Sequence, residues 1–476
     1  MIGRASQSTI ISAMGSGTRG AGRSGSALII VMVLTLGLVS MALLFTQSMM
    51  FEYRAAANSE SGFEAEQAVE GARRFIAYLL ANTETPGQMP DAENHPAEDV
   101  ALGNAHYWII GRGDSQESGV PVFGLVDEAS KLNINTATLE MLEALPGMTA
   151  EIAAAIVDWR DTDSVLTAGG AEAQDYLMMD PAYNCKDAPF ETLGELRLVK
   201  GVDLAALYGK DKNMNGVLDP NEDDGGAFES GILENLTVWS REPNRNPDGE
   251  KRLNLSTATP QALRQVLETQ LDASRANEIV QRVGNVANIR SPLEFLIRGG
   301  VGAEEAAKIE SYLSTTDDEY MTGLVNINTA PRVVLAALPG IGENNADAVV
   351  AWREGKTAEE LASVRWLADA IESEAAIRAG RFVTCRTYQV SADVTAVGSN
   401  GRGFRRSIFV FDLAESQSGS EDGESSSSTD SSVASTATGA NAPIVVFRGD
   451  RSGLGWPLGA SIRADLKNMD TQGVRQ

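Results

Sequence analysis

Two cysteines, Cys185 and Cys385, and two histidines, His95 and His106, are all that the 476 residues contain. That scarcity leaves no metal-ligating histidine set and room for one disulfide at most. An oxidising compartment would let the cysteines pair, but sequence does not place them within bonding distance, and two unrelated buried thiols are the simpler reading. The histidines fall in a loop and a strand-like stretch and carry no assigned chemistry. Basic residues are also short: 39 Lys and Arg face 65 Asp and Glu, a net charge of −26. Nucleic-acid binding is driven by clustered Lys and Arg, so this balance opposes it. It suits a divalent cation held by hard oxygen ligands. No nucleophile–base pair and no phosphate loop rises above background, so the chain reads as a non-enzyme.

Proline is absent until Pro86, so nothing from Ser26 to Asn82 forces a helix to stop. The first part of that stretch, from Ala27, is an uninterrupted apolar run, long enough to span a bilayer. The second part spaces Phe63, Ala68, Ala72, Ile76 and Leu79 by three to five residues, with Glu64, Glu66, Glu70, Arg73 and Arg74 on the other faces. This pattern predicts an amphipathic continuation of the same helix. At 1.5 Å per residue the whole would reach roughly 85 Å.

Strand signals come early and late. His106–Arg112 and Val120–Val126 are rich in β-branched and aromatic residues. From Tyr388 to Ala396 apolar residues alternate with Gln389, Ser391, Asp393 and Thr395, and Asn400-Gly401 supplies a turn. Residues 387–413 therefore read as a β-hairpin. The residues between the early and late strands read as helix. The fold class is α+β, a long N-terminal helix and a small antiparallel sheet with a large all-helical insertion. Residues 415–441 are Ser, Thr, Gly, Glu and Asp without a large apolar side chain, the composition of a disordered linker. A tail, 442–476, follows it; Ile444–Phe447 reads as an edge strand, and residues 454–458 as a segment able to pack back.

The insertion repeats itself. Asn133-Ile134-Asn135-Thr136-Ala137 recurs as Asn326-Ile327-Asn328-Thr329-Ala330. Each is followed in the same register by a Pro-Gly (Pro146-Gly147, Pro339-Gly340) and a Trp-Arg pair (Trp159-Arg160, Trp352-Arg353). A weaker copy starts at Asn254, lacks the Pro-Gly, and has Arg282 one residue late. Such periodicity marks duplicated helical hairpins. Thr136, Thr257 or Thr329 would cap the first helix, and Pro260 and Pro331 would sit in its first turn. Leu139, Leu142 and Leu145, or Val334, Leu335 and Leu338, would form one buried stripe. Ile152, Ile156 and Trp159, or Ala348, Val349 and Trp352, would form the other.

Asp211 to Glu222 fits a twelve-residue calcium loop. Asp211, Asn213 and Asn215 stand at positions one, three and five, Gly216 at the sharp turn of position six, Val217 offers its carbonyl, Asp219 stands at nine and Glu222 at twelve. Pro220 and the residues after it make a poor exit helix, so the expectation is a structural Ca²⁺ site and not a sensor. A second acidic group, Asp158-Trp159-Arg160-Asp161-Thr162-Asp163, ends the first hairpin. Helix termination and solvent-facing carboxylates account for it, with a second cation site as the alternative.

Three readings of the amino terminus stay open on that segment alone. Met1–Ala42 could be an ordinary secretory signal with Ser40-Met41-Ala42 as its cleavage site, and Ala27–Phe45 could be an uncleaved anchor. The third is a resemblance. A basic leader, Gly25 and then the apolar run from Ser26 resemble the start of type IV pilins and type II secretion pseudopilins. Those are cut after the glycine by a prepilin peptidase. The mature position-five glutamate of those families would fall on Ile30. A carboxylate in hydrocarbon must be paired, and isoleucine needs no partner, so nothing makes this subunit dock beneath another. In this departure, in the Asp158–Asp163 element, and in Gly169–Tyr183 and Ala188–Gly201, the chain resembles the minor pseudopilin K family, from Gly25 to about Leu413.

The resemblance implies a leader at 1–25, a transmembrane segment at 26–50, a pilin-like helix and first strands at 51–130, and an inserted domain of helix-hairpin-helix or sterile-alpha-motif-like units at 131–375. Pilin-like C-terminal strands would occupy 376–414. It implies a processing site at Gly25 and Ser26, an inner-membrane anchor and a periplasmic body. It also implies a place at the tip of the type II secretion pseudopilus, initiating assembly and supporting protein export. Its partners would be the I- and J-type minor pseudopilins, the major pseudopilin and the prepilin peptidase, with secreted substrate or the outer-membrane secretin beyond them. The family is known to bind calcium in its periplasmic domain. The leader is long, and Met14 as the start would shorten it. The rival is a membrane-anchored DNA-uptake receptor, because Leu338-Pro339-Gly340-Ile341-Gly342 resembles a DNA-binding hairpin turn. Glu343 and Asp347 beside that turn oppose a phosphate.

Overall fold

The computed structural model describes residues 23–83, 85–90, 95–112, 121–224, 230–284, 286–414, 442–459 and 462. The leader at 1–22, the residues near Val120 and the 415–441 linker lie outside the described residues. The chain divides into two compact units, Met1–Glu60 and Ser61–Gln476.

In the first unit the described backbone is one stretch of helix. It belongs to a helix of 59 residues, Arg23–Ala81, which includes the backbone of Gly25 and Ser26. Leu28, Ile30, Leu36, Phe45 and Phe51 are all exposed. An apolar helix with nothing packed on it matches a bilayer, and among the described residues this is the one helix long and apolar enough to cross a membrane.

In the second unit the same helix turns amphipathic. Its buried stripe is Ala65, Ala68, Val69, Ala72, Ile76 and Leu80. Phe63 is exposed, and Leu79 only half-buried, so two members of the expected stripe shift. Helical spacing explains why: Ala68, Ala72 and Ile76 step by four, which continues to Leu80, whereas Phe63 lies five residues before Ala68 and faces away.

Among the described residues fourteen strands follow in chain order: β1 (Val100–Leu102), β2 (Ala105–Ile110), β3 (Val126–Asp127), β4 (Leu132–Asn133), β5 (Leu236–Thr237), β6 (Arg241–Pro243) and β7 (Leu253–Asn254). The remainder are β8 (Leu313–Ser314), β9 (Tyr320–Thr322), β10 (Val325–Asn326), β11 (Val383–Thr384), β12 (Gln389–Val397), β13 (Arg405–Asp412) and β14 (Ile444–Asp450). One antiparallel sheet takes the order β1-β2-β12-β13-β14, with β3 also on β12. The stripe of the long helix packs on Tyr107, Ile109, Val390, Ala392, Val394, Phe409 and Phe411. A long helix and a small antiparallel sheet make the fold α+β. The hairpin read from 387–413 is β12–β13, and the 444–447 run is the start of β14. Of 120–126, only an isolated bridge at Phe123 and the end of the run, Val126 in β3, enter the sheet.

Apolar and polar residues alternate along β12, yet all nine are buried. Its polar side is covered too: Gln389 bonds Asp412 at 2.9 Å and Asp393 holds Arg406 and Arg451, while the buried Thr395 hydroxyl has no partner among the described residues.

Between β3 and β12 helices dominate, but the region is not helix alone. Three parallel two-residue ladders close three units: β4 on β5, β7 on β8, and β10 on β11. The first strand of each ends on a repeat's first asparagine. The side chains of Asn133, Asn254 and Asn326 accept the backbone N–H two residues on, at 2.9, 2.9 and 3.0 Å. That asparagine turn occupies the threonines expected as caps, and the helix starts two residues later. Thr138 and Thr259 are the caps, at 3.3 and 3.2 Å, and Pro331 stands at the cap position of the third unit. Pro260 is in the first turn as expected.

The stripes hold at Leu142, Leu145, Ile152, Ile156, Trp159, Val334, Leu335, Leu338 and Val349. Leu139 and Trp352 are half-buried, and Ala348 is exposed while Ala346 takes its place. Cys185 and Cys385 are both buried and free.

Candidate cation sites

The 211–222 segment leaves a five-residue helix, Leu204–Tyr208, through Gly209. Gly216 takes the left-handed conformation, φ 78°, that the sixth position demands. The Asp211 carboxylate reaches across the turn and accepts the backbone N–H of Asn215 at 3.1 Å and of Gly216 at 2.7 Å. Glu222 returns from the far end to accept Lys212 N–H at 3.0 Å and Asp219 N–H at 3.3 Å. Asp219 accepts the side-chain amides of Asn213 at 2.6 Å and Asn215 at 3.3 Å. Asp211, Asn213, Asn215, Val217 and Glu222 are all buried. Burial, with Glu222 adding to it, pushes the Asp211 carboxyl up to about 6 against the pull of its two backbone donors.

The side-chain oxygen of Asn213 is buried with no hydrogen-bond partner. A buried acceptor without a donor costs about 1–3 kcal/mol, and a hard cation would satisfy it. The ligand types and the turn fit Ca²⁺, although the three loop carboxylates do not gather into one tight group. Among the described residues no exit helix follows; residues 220–222 are a turn.

The second acidic group is built differently. Asp158 is fully buried and accepts Thr167 N–H at 3.1 Å and Ala171 N–H at 2.9 Å. This folds the 163–172 loop back on the helix Ala150–Arg160, and Glu172 arrives beside Asp161 and Asp163, one oxygen of each within 4.8 Å of the others. Gly170 is needed at the crossing, because a Cβ there would lie 2.1 Å from Asp158 Oδ2. An oxygen of Asp161 and one of Glu172 are buried without partners. Burial chiefly, then the neighbouring carboxylates, raises both groups above the usual carboxylate range. Repulsive carboxylates with free oxygens are what a cation would relieve. Sequence spacing found Asp161 and Asp163 but not Glu172; the buried Asp158 that pulls the loop home was the missing signal.

The turn that resembles a DNA-binding hairpin is not open to a phosphate on its Gly340 side. A Cβ on Gly340 would lie 2.4 Å from Ala375 O and 2.8 Å from Ala379 N, so the helix Ser373–Ala379 covers that face. Arg332 is held by Asp347 at 2.6 Å and Glu343 at 2.9 Å.

The described residues form an α+β protein with one candidate membrane anchor and two candidate cation sites on a duplicated helical region. Residues 125–209, which include the Asp161–Asp163–Glu172 group, match the family model described as type II secretion system (T2SS), protein K. Over that segment the chain is similar to the type II secretion system protein K family. The type II secretion system protein K of Klebsiella pneumoniae is 27% identical over 202 residues, 39% of this chain and 59% of that protein. The chain thus aligns with less than two thirds of that relative. The crystal structure of the GspK-GspI-GspJ complex from the enterotoxigenic Escherichia coli type 2 secretion system matches with a TM-score of 0.39 and 13% identity, covering 85% of this chain and 98% of that chain.

Proposed function

We propose that this protein is a minor pseudopilin of type II secretion, placed at the tip of the pseudopilus, where it initiates assembly and supports export across the outer membrane. The observation that carries the reading is the single helix Arg23–Ala81, with exposed apolar side chains on its first half and a buried stripe on its second, in a chain whose residues 125–209 match the protein K family model. Cleavage after Gly25 would make Ser26 the first residue and put Ile30 at the position where pilins carry a carboxylate. With no carboxylate to pair, the subunit accepts others beneath it and docks under none. The anchor lies in the inner membrane and the remaining residues in the periplasm. The helical hairpins of 131–375 are helix-hairpin-helix units that serve mainly to pack on one another. The partners are the I- and J-type minor pseudopilins, as in the complex named for the Escherichia coli protein, and then the major pseudopilin.

Calcium acts structurally in this reading. Asp211, Asn213, Asn215, Val217, Asp219 and Glu222 would hold one ion, and Asp161, Asp163 and Glu172 a second. The test is complementation of a strain that lacks its own K-type subunit, scored by extracellular enzyme activity and by co-purification of the I- and J-type subunits. Restored export with co-purification is expected. Stable, processed protein that neither restores export nor captures those subunits would contradict the assignment.

A further inference from the structure

The tail beyond β13 bears directly on the 211–222 loop. β14 adds an edge strand to β13, from Asp412 opposite Ile444 to Ser407 opposite Asp450. The chain then turns through Ser452–Leu454 and runs back, burying Leu458 against Trp108, Ile110 and Val397. Trp456 stands edge-on to Trp108 at 6.4 Å and to Phe404 at 5.5 Å, and its indole N–H closes the turn on Gly459 O at 2.8 Å. This strap presents two backbone carbonyls to the loop. Pro457 O accepts the Asn215 side-chain amide at 2.8 Å, and Trp456 O accepts that of Asn213 at 3.4 Å.

From below, the fully buried Arg406 of β13 donates to Asn213 O and, at 2.9 Å, to Met214 O, while its other edge pairs with Asp393. Arg451 of the strap joins the same Asp393 at 2.6 Å, and Ser452 Oγ accepts Arg406 N–H at 3.0 Å.

An asparagine amide has one donor end and one acceptor end, so fixing the first fixes the second. With their nitrogens turned to the strap and to Asp219, Asn213 and Asn215 turn their oxygens the other way. Asn215 Oδ1 accepts Val217 N–H at 2.9 Å, and Asn213 Oδ1 is buried with no donor. That is how outer groups aim the ligands of a cation. We infer that residues 442–459 are a strap that orients Asn213 and Asn215 for the cation, so that strap docking and cation binding strengthen one another. The inference rests on the calcium reading of this loop. Coupling between binding events is reciprocal: whatever factor the strap adds to cation affinity, the cation adds to strap docking. Outer partners of a metal site change affinity by about 10–100-fold, and that is the size expected.

The test uses the full chain in detergent micelles, with calcium chloride as the only ligand. Calorimetry compares it with the chain ended at residue 441 and with the double variant Asp211→Asn, Glu222→Gln. Amide exchange over 444–458 is followed in the uncut chain with and without calcium, so a truncation that misfolds does not decide the matter. The expected result is binding that needs Asp211 and Glu222, weakened about 10–100-fold without the strap, and slowing of exchange at 444–458 by a similar factor. Binding that needs Asp211 and Glu222 while exchange at 444–458 stays unchanged would overturn the strap and leave the calcium site standing. No binding that depends on those two residues would overturn the calcium site and the strap with it.

Discussion

The outer two repeats and the middle one open with the same asparagine turn and parallel ladder, yet they are stabilised in different ways. The first and third share one core, in which Leu142, Ile156, Val334 and Val349 belong to a single cluster. The middle repeat keeps a separate core of its own around Leu255, Leu263, Ile279 and Leu313. In the outer repeats a closing arginine returns to the opening turn: Arg160 donates to Ile134 O and Ala137 O, and Arg353 to Ile327 O at 2.9 Å and Ala330 O at 2.7 Å. In the middle repeat Arg282, one position late, lies over Gly300 and, among the described residues, pairs with the exposed Glu278 at 3.9 Å. One residue of register on a helix is about 100° of rotation, enough to convert a clamp into a surface charge. The lesson is that the opening turn builds the unit and the closing arginine binds its helices back to it.

Asp127 gives the sharpest way to break that comparison. It is buried and gathers Asn326 at 2.8 Å, Thr329 at 2.5 Å and Thr387 at 2.6 Å, which ties the third repeat to the sheet. The middle repeat's Asn254 bonds instead to Asp317, which is 65% exposed. Burial outweighs those hydrogen bonds and pushes the Asp127 carboxyl up to about 6 from 3.8. A raised folded-state value favours the protonated form, so this contribution is complete below pH 4 and is lost as pH rises through 6. The loss is roughly 3 kcal/mol at 1.36 kcal/mol per unit. Denaturant unfolding between pH 4 and 7 should show that slope, and Asp127→Asn should flatten it, while Asp317→Asn should leave it in place.

Next in size is the turn. Gly340→Ala meets both a φ of 95° and the backbone of the helix Ser373–Ala379, and should cost about 2–3 kcal/mol. Gly284, which ends the middle repeat's second helix at φ 68° with nothing within 4 Å, should cost about 1 kcal/mol on the same change. Thermal denaturation of the two variants separates them.

The clamp is a smaller effect. Arg353→Ala leaves two carbonyls short of a donor and should cost about 1–2 kcal/mol; Arg160→Ala should do the same. Arg282→Ala should fall within about 0.5 kcal/mol. An Arg282→Ala loss equal to that of Arg353→Ala would erase the distinction between the repeats.

What was legible in the sequence was what repeats or what a single local turn decides. The proline-free helix, the β12–β13 hairpin, the three asparagine starts and the 211–222 turn all follow from neighbours in the chain. The two-residue ladders were not legible, because Asn133 meets Thr237 and Asn326 meets Thr384 across long stretches of chain. The displaced caps follow from the asparagine turn, which holds the backbone N–H groups of Thr136, Thr257 and Thr329 on the asparagine carbonyls, so the helix starts beyond them. Glu172 was missed as a partner of Asp161 because a buried Asp158 brings it there. The tail's edge strand and its packing back were legible at 444–447 and 454–458, but its contact with the 211–222 loop was not, because that contact is made through backbone carbonyls, which no side-chain pattern announces.

The account turns on the amino terminus. The most direct measurement is the intact mass and terminal sequence of the protein purified from membranes, in cells with and without the prepilin peptidase. A first residue of Ser26 that disappears without the peptidase is the expected result, and it gives Ile30 its meaning at mature position five. A start at Leu43, or an intact leader in both strains, would contradict the pseudopilin assignment.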